Sequence, residues 1–175
     1  FGITLIVLYV YSQWLKNMFV TGNVVIAVLC FYSIFSVAVL LPNVDKLLIL
    51  YYAIFAGAIT LCRELAKDAE DVVGDEETGG RTVAVVIGLK NTSLAIYGLV
   101  LFIVPVLLVS LYGQRVYFEA PLLYIYYIYA ALFIVLPLFK VAIDLRQIED
   151  FSGFSAISQL LKYVFYTGIL SIVFF

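Results

Sequence analysis

The chain has 175 residues, 65% of them hydrophobic and 13% charged, with a net charge of −2 and a mean hydropathy of +1.13. That balance excludes an ordinary soluble globule and points to a polytopic helical membrane protein. There is no histidine, so Ser-His-Asp triads, His-ligated haem and nearly every zinc site are excluded within these residues. No glycine loop of the nucleotide-binding type precedes a Lys-Ser or Lys-Thr pair, and no basic stripe suggests nucleic acid.

A bilayer core needs roughly 20 apolar residues per helix. Phe1–Leu15 is uncharged and reads as the tail of a longer span. The chain opens with Phe1 inside an apolar run, without the charged start of a signal peptide. The expectation is therefore the later part of a longer protein whose first helices are missing. Thr21–Asn43 is the first full span, and Leu47–Cys62 is slightly short for one. Thr92–Gly113 and Ala120–Phe139 follow without a charge, and Gly153–Phe175 carries only Lys162, near its start. The predicted fold is all-α: a polytopic transmembrane helix bundle of five helices plus a partial one, forming a single domain over residues 1–175. Cys30 and Cys62 fall in or beside spans and read as small buried hydrophobes, not a disulfide.

Charges set the expected topology. On alternating helices, Lys16, Arg63, Lys67, Arg81, Lys90, Lys140, Arg146 and Lys162 share one side, and only Lys46 and Arg115 take the other. The positive-inside rule makes the first side cytoplasmic. The spans themselves lack the charges that a proton relay or ion pathway needs.

On that same side lies Asp-Ala-Glu-Asp-Val-Val-Gly-Asp, Asp68 to Asp75. If the helix of Leu47–Cys62 continues past the membrane surface, Asp68, Asp71 and Asp75 project within an arc of roughly 60°. Glu64 shares that face, while Arg63, Lys67 and Glu70 point elsewhere. Gly74 is a possible helix end before Asp75. Clustered carboxylates repel one another and persist most easily around a cation. An oxygen-only donor set suits Mg²⁺, which takes one or two carboxylates together with phosphate oxygens and water. A solvated helix end whose acids pair with Lys67, Arg63 or Arg81 fits the spacing equally well.

The neighbouring cations favour the first reading. Lys16 follows the first apolar segment, and Arg81 follows Gly79-Gly80 in an expected flexible loop. Both are suited to donate to free diphosphate oxygens, although positive-inside anchoring alone accounts for Lys16. Aromatic residues are abundant, with 14 Tyr and 14 Phe. Tyr124, Tyr126, Tyr127 and Tyr129 crowd one span, either as an interfacial belt, which better accounts for Tyr117 and Tyr124 near the outer surface, or as rings lining a tunnel that shields a carbocation.

The stretch Arg63 to Thr82, with its Lys-Asp-x-Glu-Asp-x-x-Gly-Asp core, resembles the second aspartate-rich motif of the UbiA superfamily of intramembrane prenyltransferases. Tyr11-Ser12…Leu15-Lys16, followed by Gly22-Asn23, is similar to the segment between that family's third and fourth helices. The six segments match the later helices of its nine-helix bundle. The Arg-Glu-x-x-Lys-Asp-x-Glu-Asp form is most similar to the archaeal digeranylgeranylglyceryl phosphate synthase branch. The family's first motif, Asn-Asp-x-x-Asp-x-x-x-Asp, is absent, and Asn43-Val44-Asp45 does not replace it, because it lies on the predicted outer side.

The resemblance implies Mg²⁺-dependent transfer of a prenyl group from a prenyl diphosphate, with geranylgeranyl diphosphate expected, to a lipophilic acceptor. In the archaeal-lipid form the acceptor is geranylgeranylglyceryl phosphate. It implies metal binding by Asp68, Asp71 and Asp75, diphosphate binding by Lys16, Lys67 and Arg81, and catalytic roles for Asp71, Asp75 and Lys16. The expected setting is the cell membrane, with the site facing the cytoplasm, membrane lipid as surroundings and no protein partner indicated. An aromatic-acceptor prenyltransferase is the alternative, and a non-enzymatic lipid-binding or transport bundle a further one.

Overall fold

A computed structural model describes Tyr9, Tyr11 and residues 19–116, 119–148 and 150–175. Among these, eight α-helices run in order: α1 (Thr21–Leu40), α2 (Lys46–Glu70), α3 (Val72–Glu77), α4 (Val83–Ile87), α5 (Leu89–Gln114), α6 (Ala120–Ala130), α7 (Leu136–Gln147) and α8 (Gly153–Leu170). A π-helical turn, Ala131–Val135, joins α6 to α7, and a 3₁₀ turn, Ser171–Phe174, follows α8. Five segments are long and apolar enough to cross a membrane: Thr21–Leu40, Lys46–Glu70, Leu89–Gly113, Ala120–Gln147 and Gly153–Phe174. The expected all-α bundle of five spans is present. The chain is a multi-pass membrane protein. Apart from Tyr9 and Tyr11, the partial span over Phe1–Leu15 lies outside the described residues, as does Lys16.

Helix α2 is the hub, packing against α1, α5 and α8, while α7 closes on α5 and α8. It begins at Asp45, whose carboxylate accepts from the Leu48 N–H at 2.8 Å and satisfies one otherwise orphaned donor of the first turn. Small residues bring its neighbours close. A Cβ on Gly57 would lie 3.2 Å from the Ala27 carbonyl oxygen of α1, and Gly168 of α8 sits directly against the Phe55 ring. Such close approach is how helices gain dispersion energy where lipid supplies no hydrophobic driving force. Ile59, Cys62, Ala66 and Ala69 of α2 are fully buried in one cluster with Phe154, Ile157 and Leu161 of α8 and Leu138 and Val141 of α7. Neither cysteine is in a disulfide; Cys62 is buried and Cys30 partly so.

The widened turn before α7 has a local cause. Pro137 has no N–H for the Phe133 carbonyl four residues earlier. The helix opens into the π turn at this place. Thr167 Oγ1 of α8 stands 2.9 Å from the Phe133 carbonyl oxygen and 3.0 Å from that of Tyr163, so one hydroxyl serves both helices. Nearby, the Tyr129 hydroxyl donates to the Thr167 carbonyl at 2.8 Å. These polar contacts lock α8 to the α6–α7 span.

The tyrosine-rich span divides between two roles. Tyr124 is 65% exposed, as a lipid-facing ring would be, whereas Tyr126 is 2% exposed and packs edge-on against Phe174 and Phe175. Tyr52 of α2 joins that cluster, its hydroxyl 2.7 Å from Ser171 Oγ, which in turn donates to the Gly168 carbonyl. A largely apolar cavity of about 510 Å³ opens beside it, lined among others by Ile34, Leu48, Tyr52 and Phe174.

Candidate active site

The acid run sits where α2 leaves the bundle. Sequence hydropathy ends the span at Cys62, but the helix continues two more turns to Glu70 and carries the acids with it. The break then comes at Asp71, not at Gly74. Asp71 has φ −91° and ψ 4°, and α3 starts at Val72 with Gly74 inside it. The interruption is slight, because the Asp71 N–H still reaches the Lys67 carbonyl at 2.9 Å and the Asp75 N–H reaches the Asp71 carbonyl at 3.0 Å. The acids therefore follow a bent helical path.

Asp68 is the anchored member. Its Oδ2 accepts from Asn23 Nδ2 of α1 at 2.7 Å and lies 3.4 Å from the Val83 N–H at the start of α4. One carboxylate oxygen thus ties together two helices and the loop after the acid run. Asn23 is buried, and Asp75 and Glu64 are close enough for their charges to act on Asp68. Tyr11 lies near as well, its hydroxyl within the field of Glu64 and Asp68. Asp75 is half-buried and Asp71 exposed. Among the described residues, no three His, Cys, Asp or Glu side chains close into a metal-holding group.

The expected orientation of the cations at this end needs correction. Arg63 and Lys67 do not point away from the acid face. Arg63 Nη1 donates to Glu64 Oε1 at 2.8 Å, and Lys67 Nζ lies 3.8 Å from Glu64 Oε2. Long side chains reach across the roughly 100° between adjacent helical positions, which backbone geometry alone does not reveal. The Lys67 side chain is nonetheless 43% exposed and only loosely held.

The loop to Arg81 is also more constrained than its glycines suggest. Gly79 takes φ +73°, which favours glycine, and the Gly80 N–H bonds the Asp75 carbonyl at 2.8 Å. Thr78 Oγ1 adds a bond to the Gly74 carbonyl at 2.9 Å. The chain folds back tightly on α3. Arg81 emerges exposed, without an ion pair among the described residues, two positions before the N–H that faces Asp68. The adjacent Thr82 hydroxyl is buried and has no hydrogen-bond partner among the described residues.

Asp75 and Glu64 lie within electrostatic reach of Asp68 at the end of α2, and Lys67 joins them through Glu64; Asp71 and Arg81 are exposed and make no ion pair among the described residues. Asn23 is the residue whose structural role the sequence did not reveal. It lies 45 positions from Asp68, and the only signal was its place in the Gly22-Asn23 pair.

A family profile described as the UbiA prenyltransferase family matches residues 1–170. This chain belongs to that family. Among curated relatives of the UbiA-family chain is the digeranylgeranylglyceryl phosphate synthase of Methanothermobacter thermautotrophicus, 30% identical over 162 residues, covering 89% of this chain and 52% of that protein. The enzymes of the same name from Korarchaeum cryptofilum and Methanoculleus marisnigri are 33% and 37% identical. They cover 57% and 51% of this chain, and 37% and 32% of their own lengths. The chain thus spans between a third and about half of these relatives. No solved structure matches the UbiA-family chain.

Proposed function

We propose that these residues form part of a Mg²⁺-dependent intramembrane prenyltransferase that moves a geranylgeranyl group from its diphosphate to the free hydroxyl of geranylgeranylglyceryl phosphate. In this reaction the C–O bond to diphosphate breaks, an ether C–O bond forms, and the acceptor hydroxyl loses its proton. The named relatives and the family support the chemistry. The observation that carries the reading to particular residues is the anchoring of Asp68 by Asn23, which fixes the start of the acid run against the bundle.

By chemistry the donors suit Mg²⁺, being carboxylate oxygens, which that ion takes together with phosphate oxygens and water, although among the described residues they do not close into a metal-holding group. Asp68, Asp71 and Asp75 would hold it, and when bound it supplies positive charge against which the diphosphate leaves. Arg81, Lys67 and Lys16 donate to the remaining diphosphate oxygens, and stabilising that developing charge is the main catalytic task. The bundle excludes water, which would otherwise capture the allylic cation. From Asp68 to Tyr52, 16 residues of α2 span about 24 Å. A prenyl tail starting at the acid end therefore extends towards the apolar cavity beside Tyr52. The cation asymmetry supports a cytoplasmic-facing site in the cell membrane.

The test is to give the complete native protein geranylgeranyl diphosphate and Mg²⁺ with geranylgeranylglyceryl phosphate, homogentisate or hydroxybenzoate in parallel. Ether product from the glycerophosphate lipid is expected. Product from an aromatic acceptor alone overturns the acceptor assignment.

A further inference from the structure

Between α2 and α8 lies a groove of about 250 Å³ lined by Ile59, Thr60, Arg63, Lys162, Phe165 and Tyr166. Each helix contributes one positive charge to it. Arg63 is held on one side by Glu64, while its Nε is shielded from solvent and has no acceptor among the described residues. A shielded guanidinium donor without an acceptor is costly. Lys162 is exposed and makes no ion pair among the described residues.

The groove is graded along the membrane normal. Helix α2 runs towards the acid end and α8 starts there, so residues before Arg63 and residues after Lys162 both lie deeper. These are Ile59 and Thr60 on one wall, and Phe165 and Tyr166 on the other. The cations stand on the acid-end side of the groove, with a mostly apolar and aromatic floor beyond them. This layout suits an amphiphile with an anionic head towards the acid end and a hydrocarbon chain below.

We propose that this groove binds the phosphomonoester headgroup of the lipid acceptor. Arg63 presents a planar fork to the phosphate oxygens and Lys162 a compact point charge. Ile59, Phe165 and Tyr166 receive the start of the acceptor's chain. Arg63 lies about 7.5 Å along the α2 axis from Asp68. Glu64, which grips Arg63, is close enough for its charge to act on Asp68. The acceptor is thereby held close to the acid end without occupying the diphosphate's ligands. This inference rests on the acceptor named above, and it assigns that acceptor's specificity to a pair of cations.

The test uses the complete native protein in nanodiscs of zwitterionic lipid. Steady-state kinetics vary each substrate in turn, and calorimetry measures acceptor binding without Mg²⁺ or prenyl diphosphate. Arg63→Gln and Lys162→Gln are each expected to raise the acceptor KM and Kd about tenfold or more, leaving the KM for prenyl diphosphate within about twofold. Arg63→Lys should recover part of the loss. Lys162 is exposed, so its variant separates binding from folding, and it leaves the Arg63–Glu64 pair intact. An unchanged acceptor KM in both variants, or a rise in the diphosphate KM instead, overturns the proposal. So does equal competition by an anionic bulk phospholipid, which would make the groove a general headgroup site. Failure of the acceptor assignment itself reads differently, because the unaltered protein would then give no glycerophosphate product.

Discussion

Replacing Asn23 by Ala removes the amide that fixes Asp68. The lost bond is 2.7 Å long, partly buried and made to a carboxylate, the class in which one hydrogen bond contributes about 1.5–3 kcal/mol. The Val83 N–H, at 3.4 Å, lies beyond the ordinary range for N–H···O bonds and does not replace it. Asn23→Ala should therefore destabilise the complete protein by about 1.5–3 kcal/mol, or roughly ten- to a hundredfold in the folding equilibrium. Asn23→Asp should be worse in the absence of divalent cation. Two carboxylates about 3 Å apart cannot both stay ionised, so the variant must take up a proton there in order to fold. A double-mutant cycle with Asp68→Asn, followed by reversible unfolding in detergent, isolates the pair. Coupling of about 1 kcal/mol or more is expected. Additivity within about 0.5 kcal/mol would refute the anchoring argument, as would an Asn23→Asp protein as stable as the unaltered one without Mg²⁺.

Asp71→Asn and Asp75→Asn should each lower turnover at least about a hundredfold, in line with the loss of one charge-stabilising group, while melting temperature changes little for exposed Asp71; near-normal turnover in both removes them from the site. Gly79→Ala forces a side chain into the left-handed region and should cost about 1–2 kcal/mol, read by thermal unfolding. A Gly79→Ala protein of unchanged stability would show that the tight turn leading to Arg81 is not required. Thr167→Val removes the hydroxyl shared with the Phe133 carbonyl and should cost about 1 kcal/mol; no change would mean that the π turn satisfies that carbonyl by itself.

The number of spans was legible because uncharged runs of about 20 residues have few alternatives. The end of α2 was not, because hydropathy measures the hydrocarbon slab while the helix continues past it to Glu70. Lipid and protein interior are both apolar, so sequence does not rank the two sides of a span. In α5, Ile96, Val100, Ile103 and Leu107 are buried while Leu101, Phe102, Leu108 and Val109 are exposed. Position near the outer surface assigned Tyr124 to the belt, but the same blindness left buried Tyr126 unassigned. At the site, the acid run could be read from local periodicity. The break at Asp71 depends on backbone angles that tolerate many residues, and the Asn23–Asp68 bond joins positions no local pattern connects. The grip of Arg63 and Lys67 on Glu64 depends on side-chain reach, which a helical wheel omits.

The most direct measurement follows labelled geranylgeranyl diphosphate in vesicles containing the complete native protein and geranylgeranylglyceryl phosphate, quantifying released diphosphate and ether lipid together. Equal amounts of both are expected, abolished by chelating divalent cations and restored by Mg²⁺. Transfer that persists under chelation would contradict the proposed reaction, as would ligand binding with no diphosphate released.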